Sequence, residues 1–263
     1  MMRTLYIAAT GMQAQTINVE TIANNLANLI TVGYKRRRAQ FETLIYQNLR
    51  RVGTMSSYLG TYVPAGAQVG LGVHTDSIYR INEQGNLKKT GNDLDLAIEG
   101  RGYFRVLLPQ GNYAYTRDGT FSLSYQGYIV TADGYMLAPT ITIPNNAENI
   151  TIDRTGQVQY TIAGNNATQV AGQIQLAIFQ NPNGLAAYGQ NLFTQTISSG
   201  APILGMPQSV GFGKVLQGYT EDSAVNVVTE ITDLITAQRS YEMNSKVITA
   251  ADEMLKTLTN LQN

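Results

Sequence analysis

Residues 5–29 read LYIAATGMQAQTINVETIANNLANL, and within them Leu5, Met12, Val19 and Leu26 recur every seven residues. Ala8, Ile22 and Leu29 fall three residues after Leu5, Val19 and Leu26. A seven-residue apolar period belongs to an α-helix whose stripe faces another helix. The pattern returns at the far end of the chain, where Leu234, Tyr241, Ile248 and Leu255 repeat and Ala237, Ala251 and Leu258 lie three residues on. Small alanines at the offset positions allow two helices to approach closely. Each terminal helix is therefore expected to be the other's partner, with the ends of the chain brought together and the middle looped out. Such a layout suits a polymer subunit better than a self-contained enzyme.

Working inward, the first helix is expected from about Thr4 to Leu29, with Gly33 as its stop signal. The last is expected to start near Asp222 to Asn226, either of which can cap it, and to run to about Leu261. Glu242 with Lys246, and Asp252 with Lys256, are favourably oriented i,i+4 pairs. Between the helices the sequence reads as β. Asp118-Gly119 and Asp133-Gly134, each between strand-like runs, predict hairpins. Further strands are expected at Leu94 to Ile98, Tyr103 to Leu108, Ile141 to Ile143, Ile150 to Ile152, Val158 to Ile162 and Ile174 to Phe179. The expected fold is α+β. Residues 1–30 and 222–263 form a coiled-coil-like helical domain, and residues 73–197 form an antiparallel, sandwich- or barrel-like outer domain. Residues 31–72 and 198–221 are expected as extended connectors, because they are rich in Gly, Pro, Ser and Thr.

Composition narrows the function. The 263 residues carry 18 basic and 18 acidic side chains, so no charge excess draws the chain to nucleic acid. The run Lys35-Arg36-Arg37-Arg38 is read as a solvated or partner-facing strip. Polarity comes from 21 Asn and 20 Gln, which outnumber the charged residues; a near-neutral, amide-rich surface repels its own copies little. Cysteine is absent, which excludes disulfides, thiolate metal sites and a cysteine nucleophile. The stretch Leu5 to Met12 imitates a signal-peptide core, but only Arg3 precedes it and Thr10 and Gly11 interrupt it, so no cleaved signal is expected.

No catalytic constellation stands out. The single histidine, His74, has no second metal ligand at a useful spacing and reads as structural. Asp93, Asp95 and Glu99 could supply paired carboxylates for glycoside hydrolysis. Asp93 and Asp95 alternate on a strand, however, and are expected on one solvent face. No phosphate-loop pattern occurs. The chain is expected to be no enzyme and to hold no cofactor or metal. From a different class, a carbohydrate-binding or carbohydrate-active β protein would need clustered exposed aromatics, and the 16 tyrosines lie scattered along the sequence.

Two terminal motifs carry a resemblance. Ile22-Ala23-Asn24-Asn25-Leu26-Ala27-Asn28, followed by Thr31-Val32-Gly33-Tyr34-Lys35-Arg36, resembles the axial proteins of the bacterial flagellum, the rod, hook and hook-associated proteins. So do the opening Leu5 to Met12, the C-terminal run Leu234 to Glu242 with Gln238, Arg239 and Glu242, and Asn244 to Ile248 beyond it. In the middle, Gln84-Gly85-Asn86-Leu87, Thr90 to Ile98 and Tyr115 to Gly119 resemble a rod protein rather than the larger hook protein. At Glu221 to Asn226 the chain departs from the Glu-Ala-Ser-Asn-Val-like run usual in the family. The resemblance implies a subunit of a rigid helical drive shaft in the basal body, spanning the periplasm to the outer membrane. It would be exported without a cleaved signal by the flagellar type III apparatus, and a rod-assembly cap or chaperone would be among its partners. The others implied are further copies of itself, the proximal rod proteins, the hook protein, and the P and L ring proteins that surround the shaft. The stretch from about Tyr46 to Gly66 is expected, on the same resemblance, to set the stiffness of the polymer.

Overall fold

A computed structural model of the chain describes residues 2–53, 65–162 and 165–261. The chain divides into two units. One comprises Met1–Leu26, Arg37–Tyr79 and Asn226–Asn263; the other comprises Ala27–Arg36 and Arg80–Val225.

The first unit is built on the two terminal helices, α1 (Met2–Ala27) and α2 (Val227–Leu261). Asn226 caps α2: its Oδ1 accepts from the N–H of Val228 at 3.0 Å and of Thr229 at 3.3 Å. That satisfies donors which the first turn of a helix leaves without partners. α1 ends at Ala27, and the turns that follow it end at Gly33, whose φ of 68° is costly for any residue with a Cβ. Four strands complete this unit: β1 (Arg37–Thr43), β2 (Tyr46–Arg50), β3 (Ala67–Gly70) and β4 (Val73–Arg80). β1 pairs with β4, and β2 pairs antiparallel with β3, setting Tyr46 opposite Gly70 and Arg50 opposite Ala67. The stretch expected to set stiffness thus begins as strand β2, and residues 54–64 of it lie outside the described residues.

The second unit holds the remaining strands. They are β5 (Leu87–Lys89), β6 (Leu96–Glu99), β7 (Tyr103–Leu107), β8 (Tyr113–Thr116), β9 (Phe121–Leu123), β10 (Ile129–Thr131), β11 (Met136–Leu137), β12 (Ala147–Ile152), β13 (Gln157–Ile162) and β14 (Asn165–Gln173). After these come β15 (Leu176–Ile178), β16 (Ala186–Gly189), β17 (Leu192–Thr194), β18 (Ile203–Gly205), β19 (Lys214–Gln217) and β20 (Tyr219–Glu221). The main antiparallel sheet runs β16-β17-β8-β7-β11-β10-β9, with β15 joining β7 to β18. A three-stranded sheet, β12-β13-β14, and the pairs β19-β6 and β20-β5 surround it, and none closes into a barrel. Alternating side chains fill one core in which Leu96, Ile98, Phe104, Val106, Ile129, Leu137, Ile174, Leu176 and Val215 are fully buried. The fold is α+β, with paired terminal helices and an antiparallel β middle.

Several local expectations need correction. The segments expected as extended connectors contain strands β1 to β3 on one side and β18 to β20 on the other. Their Gly and Ser content marks turns rather than slack. Asp133-Gly134 does turn a hairpin, β10 to β11, with Gly134 at φ 86°. Asp118-Gly119 does not, because β8 pairs with β7 and β17 while β9 pairs with β10. There Asp118 accepts from Thr120 N–H at 3.0 Å in a local turn, and the carbonyl of Gly119 accepts from Leu96 N–H at 2.9 Å. Ile141 to Ile143 is buried but forms only an isolated bridge, Thr142 with Tyr128, between Pro139 and Pro144. Asp95 is not on a solvent face: it is buried in the turn before β6, where its Oδ1 accepts from Asn92 Nδ2 at 3.1 Å. Lys35 is not part of a solvated strip either, and is 4% exposed.

Candidate assembly surface

Two contacts fix the geometry of the helix pair. A Cβ built on Gly11 would sit 2.9 Å from Asn244 Nδ2, so α1 and α2 touch there with no room for a side chain. Asn25 Nδ2 donates to Glu230 Oε2 at 3.1 Å. From Gly11 to Asn25 the numbering climbs by fourteen residues, and from Asn244 to Glu230 it falls by fourteen. The pair is therefore antiparallel with a constant two-heptad register.

The buried row of α1 is Ala8, Ala14, Thr21, Ile22 and Asn25, and that of α2 is Glu230, Ala237 and Ala251. The heptad residues Leu5, Met12, Val19 and Leu26, and opposite them Leu234, Ile248 and Leu255, are half-buried on the shoulders of this row. Tyr241 is 43% exposed. Small residues occupy the centre because they let the backbones come close. A seam only two helices wide cannot also cover the large flanking side chains. Gly11 costs α1 up to about 1 kcal/mol in helix propensity, which close packing on Asn244 offsets.

The motif residues divide between the seam and the solvent. Asn25 is buried and makes two hydrogen bonds with the backbone of Arg37, donating to its carbonyl and accepting from its N–H, each at 2.8 Å. It thereby ties α1 to β1 and, through Glu230, to α2. Asn244 lies in the seam. Gln238, Arg239 and Glu242 stand on the exposed face of α2; Asn24 is exposed and Asn28 half-buried. Asp252 and Lys256 form an exposed ion pair at 2.8 Å.

Within the second unit, Gly33 and Tyr34 anchor the segment after α1 beside the segment before α2. Gly33 N–H donates to the Glu221 carbonyl at 2.7 Å, and Ala224 N–H donates to the Tyr34 carbonyl at 3.1 Å. A Cβ on Gly33 would press on the Arg117 backbone at 2.8 Å. Beneath lies a buried ion triad. Lys35 Nζ reaches Glu221 Oε1 at 2.5 Å and the Glu83 carbonyl at 2.6 Å, and Arg117 Nε lies 3.1 Å from Glu221 Oε2. Burial, opposed by Glu221 and reinforced by Arg117, holds the Lys35 ammonium below its ordinary value of 10.5. The Arg117 guanidinium also donates to the carbonyls of Gly102 and Gly100, both at 2.8 Å. The sequence signal for this triad is weak, since Lys35 sits in a basic run 186 positions from Glu221, and Arg117 lies 104 positions from it.

The far end of α2 decides what the surface can do. Leu258 lies seven residues after Ala251, in the row that is buried at Glu230, Ala237 and Ala251. The antiparallel register brings Ala251 opposite Thr4, so Leu258 projects past the start of α1, and it is 49% exposed. Met254 is exposed beside it. Val228, Ile231, Ile235, Met243 and Val247 add exposed apolar surface along the rest of α2. No helix is long and apolar enough to cross a membrane among the described residues.

Three family models match the chain in order. They are the flagella basal body rod protein model over residues 5–35, the flagellar hook protein FlgE/F/G D1 domain over 97–175, and the flagellar basal body rod FlgEFG protein C-terminal over 216–261. The flagellar basal-body rod protein FlgG of Caulobacter vibrioides is 55% identical over 262 residues, covering 100% of both chains. That of Agrobacterium fabrum is 53% identical over 96% of this chain and 97% of its own. That of Bacillus subtilis is 38% identical over 100% of both. Antiparallel terminal helices around a looped-out β middle, matched end to end by these relatives, place the chain in the flagellar rod and hook axial protein family, of which it is a member.

Proposed function

We propose that this chain polymerises through its helix pair as a subunit of the flagellar distal rod. A rod subunit's work is mechanical: it carries torque along a rigid helical shaft. The observation that carries the mode of assembly is the uncovered seam at the end of α2. Met254, Leu255 and Leu258 continue a row that α1 no longer reaches, and a neighbouring copy supplies the missing cover. The exposed apolar residues of α2, with Gln238, Arg239 and Glu242 among them, meet further copies sideways. Head-to-tail contacts of this kind do not close on themselves and generate a helical polymer. The helix pairs line its inner tube. The neighbours along the shaft are proximal rod proteins at one end and the hook protein at the other, with the P and L ring proteins around it in the periplasm. The chain reaches that place through the flagellar export apparatus without a cleaved signal.

The test is to end the chain after Glu253 and to make Leu258→Asp separately. Electron microscopy and sedimentation at high protein concentration should show straight tubes for the parent and monomers for both variants. Tubes of normal length from either variant would refute this mode of assembly.

A further inference from the structure

Three of the 16 tyrosines scattered along the sequence are gathered in space. Beside β8 and β17 opens a cleft of about 610 Å³, within the range of roughly 300–1,000 Å³ usual for small-molecule sites. Tyr113 and Tyr188, 75 positions apart, are both exposed on it, and Tyr115 is buried at its edge. β8 carries Tyr113 and Tyr115 on one face, since side chains two apart on a strand point the same way. Arg105 lies with its guanidinium carbon 4.6 Å from the Tyr113 ring centroid, which fixes that ring. Tyr115 packs edge-on against Phe179 at 4.7 Å, so the floor is rigid.

Besides the hydroxyls of Thr194 and Thr196, the polar groups of the cleft are amides: Gln110, Asn112 and Gln195, all exposed. Among the described residues, their side chains make no hydrogen bond within the chain. The lining holds no Asp, Glu, Lys, Arg or His. A cationic ligand would find no carboxylate in the lining, and the guanidinium beside it, that of Arg105, is stacked on the Tyr113 ring rather than turned to a phosphate or carboxylate. A purely apolar ligand would strip water from amides and offer nothing in return. Sugars match on both counts. The C–H face of a pyranose lies on a tyrosine ring, whose other end stays wet. Amides offer donor and acceptor together to vicinal hydroxyls or to an acetamido group.

We propose that this cleft binds an uncharged oligosaccharide, held on Tyr113 and Tyr188 and oriented by Gln110, Asn112 and Gln195. The inference rests on the cleft alone and does not depend on the mode of polymerisation.

Isothermal titration of the full-length monomer with chitotetraose and, separately, cellotetraose tests it and tells an acetamido sugar from a plain glucan. At least one should bind with a dissociation constant of about 1 mM or tighter. Tyr188→Ala and Tyr113→Ala should each weaken that binding about tenfold, with circular dichroism melts like the parent's. Three results overturn the proposal. Neither sugar saturates by about 10 mM; or both variants bind as the parent does; or the variants lose tube formation while neither sugar binds, in which case the cleft seats a second copy of the chain.

Discussion

The β unit and the helical unit bury their apolar residues by different means. In the β unit, large side chains are sealed: Phe104, Leu96, Ile98 and Leu176 are at most 1% exposed, and Phe104 stacks edge-on against Phe121 at 5.2 Å. In the helix pair the buried residues are small or polar, Ala8, Ala14, Thr21, Asn25, Ala237 and Ala251, with Ile22 the one large aliphatic among them in the described helices. Apolar burial contributes about 25 cal/mol per Å² removed from water. An alanine seam therefore stabilises the pair far less than the β core stabilises its sheet. The helices compensate with placed polar contacts, Asn25 above all. Their large apolar residues stay on the outside. One unit seals its large apolar side chains inside, and the other keeps apolar surface outside, which the proposed mode of assembly covers with neighbouring copies.

That contrast can be broken experimentally. The largest effect is expected from Ile248→Asp or Leu26→Asp, which place an uncompensated charge beside the seam and repeat it in every subunit. Tube formation and motility should be lost, while hydrogen exchange in β7 and β8 keeps its protection. Loss of that protection in the same variants would mean the two units share their stability.

The reverse experiment is Phe104→Ala, expected to cost the β unit about 3–5 kcal/mol. Chemical denaturation followed by tyrosine fluorescence should report it, with helical circular dichroism at the same denaturant changing less. A smaller loss is expected from Asn25→Ala, which strands the Arg37 backbone groups and removes one hydrogen bond from Glu230, about 1–3 kcal/mol. Helical signal should melt earlier there and the β unit at its usual point.

The smallest effect sharpens the β side through pH. Desolvation is the largest single influence and raises the Asp153 carboxyl, but the Thr155 hydroxyl and the N–H groups of Gln157 and Thr155 together outweigh it and hold the group below its ordinary 3.8. A carboxylate with a depressed folded value adds stability that is fully present above 3.8 and lost as pH falls through the lower folded value. Asp153→Ala should therefore lower the β-unit melting temperature slightly at about pH 7 and show a narrower gap from the parent at about pH 3. An equal gap at both would show that ionisation of Asp153 adds nothing.

The sequence by itself determined the two terminal helices, a cap for the last of them between Asp222 and Asn226, the glycine at position 33 and the hairpin at Asp133-Gly134. All of these rest on local chemistry: a seven-residue period, a side-chain oxygen at a helix start, a glycine able to adopt positive φ. Only the tertiary structure decided the rest. Asp118-Gly119 carries the same dipeptide signal as Asp133-Gly134, yet pairing with β17 and β7 takes β8 away from β9. Asp95 and Lys35 read as surface charges until Asn92, Glu221 and Glu83, distant or oblique in sequence, are brought onto them. The tyrosine cleft joins positions 113 and 188, and the antiparallel register that leaves Leu258 uncovered needs both helices at once. Periodicity reports which side of an element is apolar. Which distant residue meets it, and what remains uncovered, follow from packing that no local window contains.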